Sequence, residues 1–276
     1  MQVRPYAEVV PVSEDVVRER LAAGGPALVA LSGGVDSGLV ASLAREALGP
    51  RAEAVTLSGS AVPASEVEQA RQVARAVGIV HTVLPADPIG RAEYRENPPD
   101  RCYHCRAVES QAVRAWGGPR GFVQFLDGVQ ADDLAEDRPG IRAMDEAGFR
   151  HPLLEAGWDK PTVRALARRR GLPNWDRPSN ACLASRVAHG YPITPELLAR
   201  VERAESELLR RGFQRVRVRV GPTGARIEVG PDEVARLLTE PGGAEAQDAV
   251  RAMGFGAVTV DPRGYGGLRS PLRVVR

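Results

Sequence analysis

Lysine is almost missing from this chain. Lys160 is the single one among 276 residues, so arginine carries nearly all of the positive charge. With no lysine near any glycine-rich turn of the first half, the Gly-Lys-Ser/Thr ending of a mononucleotide P-loop is excluded there. Cysteine is scarce as well: Cys102, Cys105 and Cys182 do not make a disulfide framework. No apolar run approaches membrane-spanning length. Residues 1–12 lack an apolar core before a small-residue cleavage site, so no secretory signal is expected. The net charge of +2 suggests neither a polyanion binder nor a cation binder. No internal repeat and no low-complexity segment interrupts the chain. These absences predict a cytoplasmic protein with reduced or metal-bound thiols, no membrane partner, and one large domain or two modest ones.

What is present starts at residue 27. Ala27-Leu28-Val29-Ala30-Leu31 is a continuous apolar run, short enough for a strand buried on both faces. The chain breaks at Ser32-Gly33-Gly34 and resumes with a helical pattern of Leu39, Val40, Leu43, Ala47 and Leu48. Two glycines between strand and helix let the backbone pass close to a ligand. The first N–H groups of a helix have no partner within it, and its dipole adds positive character there. Ser32 and Ser37 bring hydroxyls to the same spot. The segment reads as an anion cradle, best suited to phosphate.

Ser32-Gly33-Gly34-Val35-Asp36-Ser37 resembles the SGGxDS pyrophosphate loop of the ATP-pyrophosphatase (PP-loop) enzymes, which split ATP between the α and β phosphates. Further along, residues 52–57 and 79–84 read as strands. Between them a helix opens after Pro63, buries Val67, Ala70, Val73, Ala74 and Val77, and ends at Gly78. Alternating strands and helices at this spacing predict an α/β fold with a parallel sheet, with ligands beyond the carboxyl ends of its strands. ATP is expected to touch Ala30, Ser32, Gly33, Gly34, Asp36, Ser37 and Leu57. The strand at 122–126 runs into Asp127-Gly128-Val129-Gln130-Ala131-Asp132-Asp133. Gly128 joins the expected ATP contacts, and Asp132 and Asp133 are Mg²⁺ candidates; the plainer reading is an acidic turn that caps a helix.

Residues 97–106, NPPDRCYHCR, break the pattern, and a helix is predicted over 107–116. Arg168-Arg169-Arg170 ends another predicted helix; it suits either RNA or the helix's own dipole. Residues 175–186 have no clear period and hold the third cysteine; irregular stretches of this length are commonly functional. From Thr194 the character changes to an amphipathic helix, two alternating strands around Gly221-Pro222, two short helices and a strand at 257–260. The expected division is a PP-loop domain over 1–190 carrying the cysteines, and a small α+β domain over 191–276 for substrate and oligomer contacts.

Cys102 and Cys105 stand in C-x-x-C spacing. Spacing alone allows a [4Fe–4S] cluster held by three thiolates with one open iron, a zinc site completed by His81, His104, His151 or His189, redox thiols, or inert residues. Together with an ATP-splitting loop, the thiols point to exchange of oxygen for sulfur on an adenylated carbon.

RCYHCR, the 127–140 stretch DGVQADDLAEDRPG, NACLASR at 180–186 and the ARIEV strand at 225–229 together resemble the LarE-type sulfur transferases. The resemblance implies ATP-dependent adenylation of a carboxylate of pyridinium-3,5-biscarboxylic acid mononucleotide. Sulfur transfer to a thiocarboxylate with release of AMP follows, in assembly of the nickel-pincer nucleotide of lactate racemase. Family members either sacrifice the sulfur of one cysteine, here matching Cys182, or hold a [4Fe–4S] cluster. With Cys102, Cys105 and Cys182 all present, the chain resembles the cluster type, fed by sulfide or another sulfur donor. Arg186, with Arg215 or Arg217, is the expected holder of the substrate phosphate. The family's Gly-Tyr-Arg-x-Gly-Ser-like ending is replaced by Gly264-Tyr265-Gly266-Gly267-Leu268-Arg269-Ser270, and the 221–224 turn lacks its usual histidine; only Tyr265 carries over.

A tRNA thiolase shares the loop and the sulfur logic, but a near-neutral chain without an RNA-binding module argues against nucleic acid as a partner. An amide-forming synthetase leaves the cysteines unexplained, and a redox-sensing ATP module is the non-catalytic alternative. The partners expected are a small nucleotide substrate and further copies of the chain.

Overall fold

Ala27, Leu28 and Val29 have no exposed face, and everything in the first half of the chain is layered around them. The computed structural model describes residues 10–135, 139–178 and 181–265. Residues 136–138 and Asn180, from the family-like stretches, and residues 266–270 lie outside the described residues. In chain order the elements are α1 (Glu14–Ala23), β1 (Ala27–Ala30), α2 (Val35–Leu48), β2 (Ala52–Ser58), α3 (Ala64–Val77), β3 (Val80–Pro85), α4 (Ala92–Arg95), α5 (Arg101–Gly117), β4 (Gln124–Leu126), α6 (Pro139–Glu146), α7 (Pro152–Glu155), α8 (Lys160–Arg169), α9 (Pro195–Arg210), β5 (Arg217–Gly221), β6 (Gly224–Glu228), α10 (Val234–Thr239), α11 (Pro241–Arg251) and β7 (Val258–Val260). Two compact units result: Met1–Pro88 with Asp100–Asn180, and Ile89–Pro99 with Ala181–Arg276.

The first unit is a four-stranded, all-parallel sheet in the order β3-β2-β1-β4. It is the parallel α/β fold that the alternating pattern predicts and that the resemblance of the Ser32–Ser37 turn to PP-loop enzymes implies. Strand β1 has β2 on one side and β4 on the other, so strand order reverses beside it, which is where such sheets bind ligands. On one face α2, α3 and α8 bury Leu39, Leu43, Val73 and Val163 against Val29 and Ala54. Each fully buried aliphatic side chain contributes about 1.5–3 kcal/mol. On the other face α5 approaches closely: a Cβ on Gly117 would lie 2.7 Å from the Leu28 side chain. Gly78 ends α3 in the left-handed region (φ 70°), as its position predicted.

Helix α5 corrects the expectation of a helix over 107–116. It begins at Arg101, so Cys102 and Cys105 lie on its first two turns and not in an irregular segment. The basic run at the end of α8 is engaged within the unit. Arg169 pairs with Glu14, Arg170 with Glu14 and Glu46, and Arg168 lies over the Trp175 ring.

The second unit has a three-stranded sheet in the order β5-β6-β7, with an antiparallel hairpin and a parallel third strand. Helix α9, capped by Thr194 Oγ1 accepting from Leu197 N, buries Leu198, Val201 and Leu208. Residues 89–99, which the sequence groups with the first domain, cluster with this unit. Asn97 holds them there: fully buried, with φ 56°, its amide donates to the carbonyls of Ala188 (2.8 Å) and Tyr191 (3.0 Å). Replacing it removes those bonds, and a residue with a Cβ also resists the left-handed backbone. Asn97→Ala is expected to lower unfolding stability by about 2–4 kcal/mol. Asn97→Gly, relieved of the backbone strain, should lose about 1–2 kcal/mol less in urea unfolding.

Candidate active site

The SGGVDS turn joins β1 to α2. Gly33 takes a left-handed φ of 84°, and an added Cβ there would meet Ala70 N and Glu66 O of α3 at 3.0 and 3.1 Å. Gly34 is the N-cap of α2 and supplies no side-chain cap, which leaves the first-turn N–H groups to other partners. The two hydroxyls organise the mouth. Ser37 Oγ accepts from Ser32 N (3.1 Å) and donates to Gly34 O (3.3 Å). Ser32 Oγ lies 3.0 Å from Ser37 Oγ and accepts from Gly34 N (3.3 Å). A ring of N–H and O–H groups at a helix start is the arrangement a phosphate can take over.

Asp36 is an awkward residue for an anion site, and its partner resolves the difficulty. Lys160 Nζ donates to both Asp36 carboxylate oxygens, at 2.5 and 2.8 Å. Lys160 opens α8, whose N-cap Asp159 accepts from Thr162 N at 2.9 Å. The ammonium therefore comes from a capped helix, 124 positions away in sequence, and neutralises the carboxylate. Sequence reasoning set this residue aside as remote; its uniqueness in the chain was the only clue.

After β4 the chain turns onto the start of α2. A Cβ on Gly128 would stand 2.5 Å from Ser37 N, so this position requires glycine. Ala30 and Leu57, half-buried at the carboxyl ends of β1 and β2, join the core cluster around Leu28 and Phe125. The SGGVDS residues, Gly128, Ala30 and Leu57 thus gather at the same end of the sheet. Asp132 and Asp133 follow in the turn but serve hydrogen bonds there. Asp132 Oδ2 accepts from Lys160 N (3.0 Å), and Asp133 Oδ2 from Gln130 N (3.1 Å).

Behind this turn sits a residue that the sequence reading offered only as a zinc ligand. His151 is fully buried, with Nδ1 2.6 Å from Asp127 Oδ1 and Nε2 3.2 Å from Asp145 Oδ1. Both neighbours are acceptors, so the ring is held as imidazolium. Burial pulls its pKa down, but hydrogen bonding to Asp127 and the two negative charges more than reverse this and raise it. The other histidines also have local partners: His81 with Thr56 Oγ1 (2.7 Å), His189 with Pro98 O (3.2 Å) and His104 beside Asp100 (3.7 Å). Among the described residues no three His, Cys, Asp or Glu side chains form a metal-binding group.

None of the three cysteines is joined in a disulfide. Cys102 is exposed and Cys105 half-buried, three positions apart on α5, with Cys105 Sγ 3.5 Å from Glu109 Oε1. Glu109 chiefly, then both cysteines and Asp127, favour the charged form of Arg106 on the same helix. Cys102 and Cys105 belong to the first unit. Cys182 belongs to the second, where it caps a short 3-10 turn, Leu183–Arg186.

Arg186 is fully enclosed. Its guanidinium pairs with Glu205 through two bonds (2.9 and 3.0 Å) and donates to the carbonyls of Ala181 and Cys182. It thereby shapes the backbone around Cys182. Arg215 is exposed and lies 3.8 Å from Asp232. Arg217 differs from both. It lies 4.8 Å over the Tyr265 ring, and among the described residues it pairs with no carboxylate. Burial, then the nearby Arg186 charge, lowers its pKa. Glu205 offsets part of this, and a half-buried guanidinium bonded to no carboxylate is suited to an anion.

A parallel sheet that delivers its central strand into this cradle defines a PP-loop nucleotide-binding protein. A family model described as asparagine synthase matches residues 11–100. An uncharacterised protein of Synechocystis sp. is 39% identical over 239 residues, covering 87% of this chain and 89% of that one. The pyridinium-3,5-bisthiocarboxylic acid mononucleotide synthase of Lactiplantibacillus plantarum is 32% identical over 243 residues, 88% of this chain and 86% of its own length. A further uncharacterised protein, from Methanocaldococcus jannaschii, is 28% identical over about half of each chain, 52% and 56%. The chain belongs to the LarE-type family of PP-loop proteins.

The raised pKa of His151 has a consequence for stability. A group protonated more tightly when folded stabilises fully below its unfolded pKa, about 6.5, and loses that effect as pH rises through its folded value. Wild-type unfolding stability should therefore fall as pH is raised above about 6.5, and His151→Gln should flatten that part of the profile in urea unfolding.

Proposed function

We propose that this protein is an ATP-dependent sulfur transferase that converts a carboxylate of pyridinium-3,5-biscarboxylic acid mononucleotide into a thiocarboxylate, releasing AMP and pyrophosphate. One observation carries the reading: the Ser32–Ser37 turn is built as an anion cradle at the carboxyl end of the central strand, with its carboxylate neutralised by Lys160. The substrate class comes from the likeness to the Lactiplantibacillus plantarum synthase.

In this reading the cradle N–H and O–H groups hold the β and γ phosphates, while Ala30 and Leu57 flank the adenine. A substrate carboxylate oxygen attacks the α phosphorus and the bond to pyrophosphate breaks. The cradle stabilises the departing charge, and Lys160, by pairing with Asp36, keeps that carboxylate from repelling it. Attack of sulfur on the adenylated carbon then expels AMP together with the former carboxylate oxygen. Asp132 and Asp133 are the Mg²⁺ candidates, in a turn that already places Asp132 at the start of α8. Arg217, over the Tyr265 ring and bonded to no carboxylate among the described residues, suits the substrate phosphate. Arg186 maintains the Cys182 backbone from beneath.

The sulfur source divides the reading. Three cysteines outside any disulfide fit the donor chemistry of a [4Fe–4S] site with one open iron, and Cys102, Cys105 and Cys182 would hold it. Such a cluster, when bound, supplies a position for an extra sulfide. The alternative is Cys182 as a sacrificial donor.

Anaerobic purification with iron and sulfide analysis separates these. The expected outcome is about four irons per chain with a broad visible absorption, lost in Cys102→Ala. A colourless protein after reconstitution would exclude the cluster, and mass analysis should then find Cys182 lighter by one H₂S after a turnover. In either case AMP and pyrophosphate should appear only when the carboxylate substrate is added, and Lys160→Ala should lower kcat by roughly 10²-fold.

A further inference from the structure

Asn174 follows α8 in a stretch without helical or strand structure, and its side chain is 1% exposed. Its Nδ2 donates to Gly33 O at 2.8 Å, while its Oδ1 is buried without a hydrogen-bond partner among the described residues. Room for the amide exists because residue 38 of α2 is glycine: a Cβ there would stand 3.1 Å from Nδ2. The surrounding stretch is pinned on both sides. Arg164 donates to the carbonyls of Asp176 and Arg177, and Arg177 pairs with Glu66 of α3 through two bonds, at 2.7 and 3.2 Å.

The carbonyl that Asn174 holds belongs to the peptide between Gly33 and Gly34. In a trans peptide the C=O and the N–H point in opposite directions. Fixing Gly33 O toward Asn174 therefore aims Gly34 N–H the other way, at Ser32 Oγ and the cradle mouth. Flanked by two glycines, this plane has little steric resistance to flipping. A flipped peptide would present a carbonyl oxygen where the anion must sit.

Resting on the pyrophosphate-loop reading above, we infer that Asn174 is a positioning residue that locks the Gly33–Gly34 peptide in its anion-binding orientation. A buried amide with one bond made and one acceptor unmet adds little to stability, because the unmet acceptor offsets the bond. Its contribution belongs to the ligand.

Isothermal titration of the full chain with inorganic pyrophosphate tests this. Asn174→Ala is expected to bind about tenfold more weakly than wild type or worse, with an unliganded melting temperature close to wild type. Asn174→Asp keeps the shape but turns an acceptor toward Gly33 O near neutral pH. Protonation makes that carboxyl a donor, so its deficit relative to wild type should shrink as pH is lowered from about 8 to about 5.5. Equal affinity of wild type and both variants would overturn the role of Asn174 while leaving the cradle standing. An affinity loss matched by a collapse of unliganded stability would make Asn174 a structural residue and overturn it too. Failure of the wild type to bind pyrophosphate would overturn the inference and the loop reading together.

Discussion

The start of α2 is a helix end whose first-turn N–H groups are left without a side-chain cap, since Gly34 stands at the cap position. Helices α1, α8 and α9, by contrast, are closed by side chains, those of Ser13, Asp159 and Thr194. Leaving donors unpaired in a packed interior is unfavourable unless something polar fills the gap. Here the Ser32 and Ser37 hydroxyls bond each other and the N–H groups of Ser32 and Gly34 just before the helix, at 3.0 to 3.3 Å, bonds that an incoming phosphate can exchange for stronger charge-assisted ones. The close approach of Gly128, the glycine at 38 and the carboxylate of Asp36 all follow from building around those donors.

Much of this was legible because it is local. The apolar run of β1, the glycine pair, the Pro63 and Gly78 ends of α3 and the alternating strands of the hairpin each depend on neighbours a few residues away. The parallel sheet then follows from the order of the elements. What stayed hidden depends on partners far along the chain. Nothing near Lys160 announces Asp36, and nothing near Asn174 announces Gly33. The start of α5 was obscured by Pro98-Pro99, which read as a break; the turn at Asn97 absorbs it and lets the helix begin at Arg101, so both cysteines gain a regular helical spacing.

Arginine is harder to read from sequence than any other residue here. The three arginines considered for a substrate phosphate have three different environments. Arg186 is saturated by Glu205 and backbone carbonyls, Arg215 is exposed beside Asp232, and Arg217 is half-buried with an aromatic ring and like charges around it. The same lesson applies to the run ending α8, where a basic patch in the sequence becomes ion pairs with Glu14 and Glu46 in the fold. Charge in a sequence predicts an anion site only where the fold withholds the carboxylate.

His151 shows how such a withheld balance works in the opposite sense. Two carboxylates converge on one ring in the interior, and in the trio Asp127–His151–Asp145 the imidazolium offsets part of their negative charge behind the turn that bears Gly128. Without the imidazolium, Asp127 would face Asp145 unscreened, directly behind the backbone that packs on Ser37. Lys160 does for Asp36 at the mouth of the cradle what His151 does for Asp127 at its back. The Ser32–Ser37 turn is thus flanked by acidic residues whose charge is offset locally, by Lys160 at Asp36 and in part by His151 at Asp127 and Asp145. Its remaining field comes from backbone N–H groups and the dipole of α2, which are fixed in place and need no reorganisation when an anion arrives.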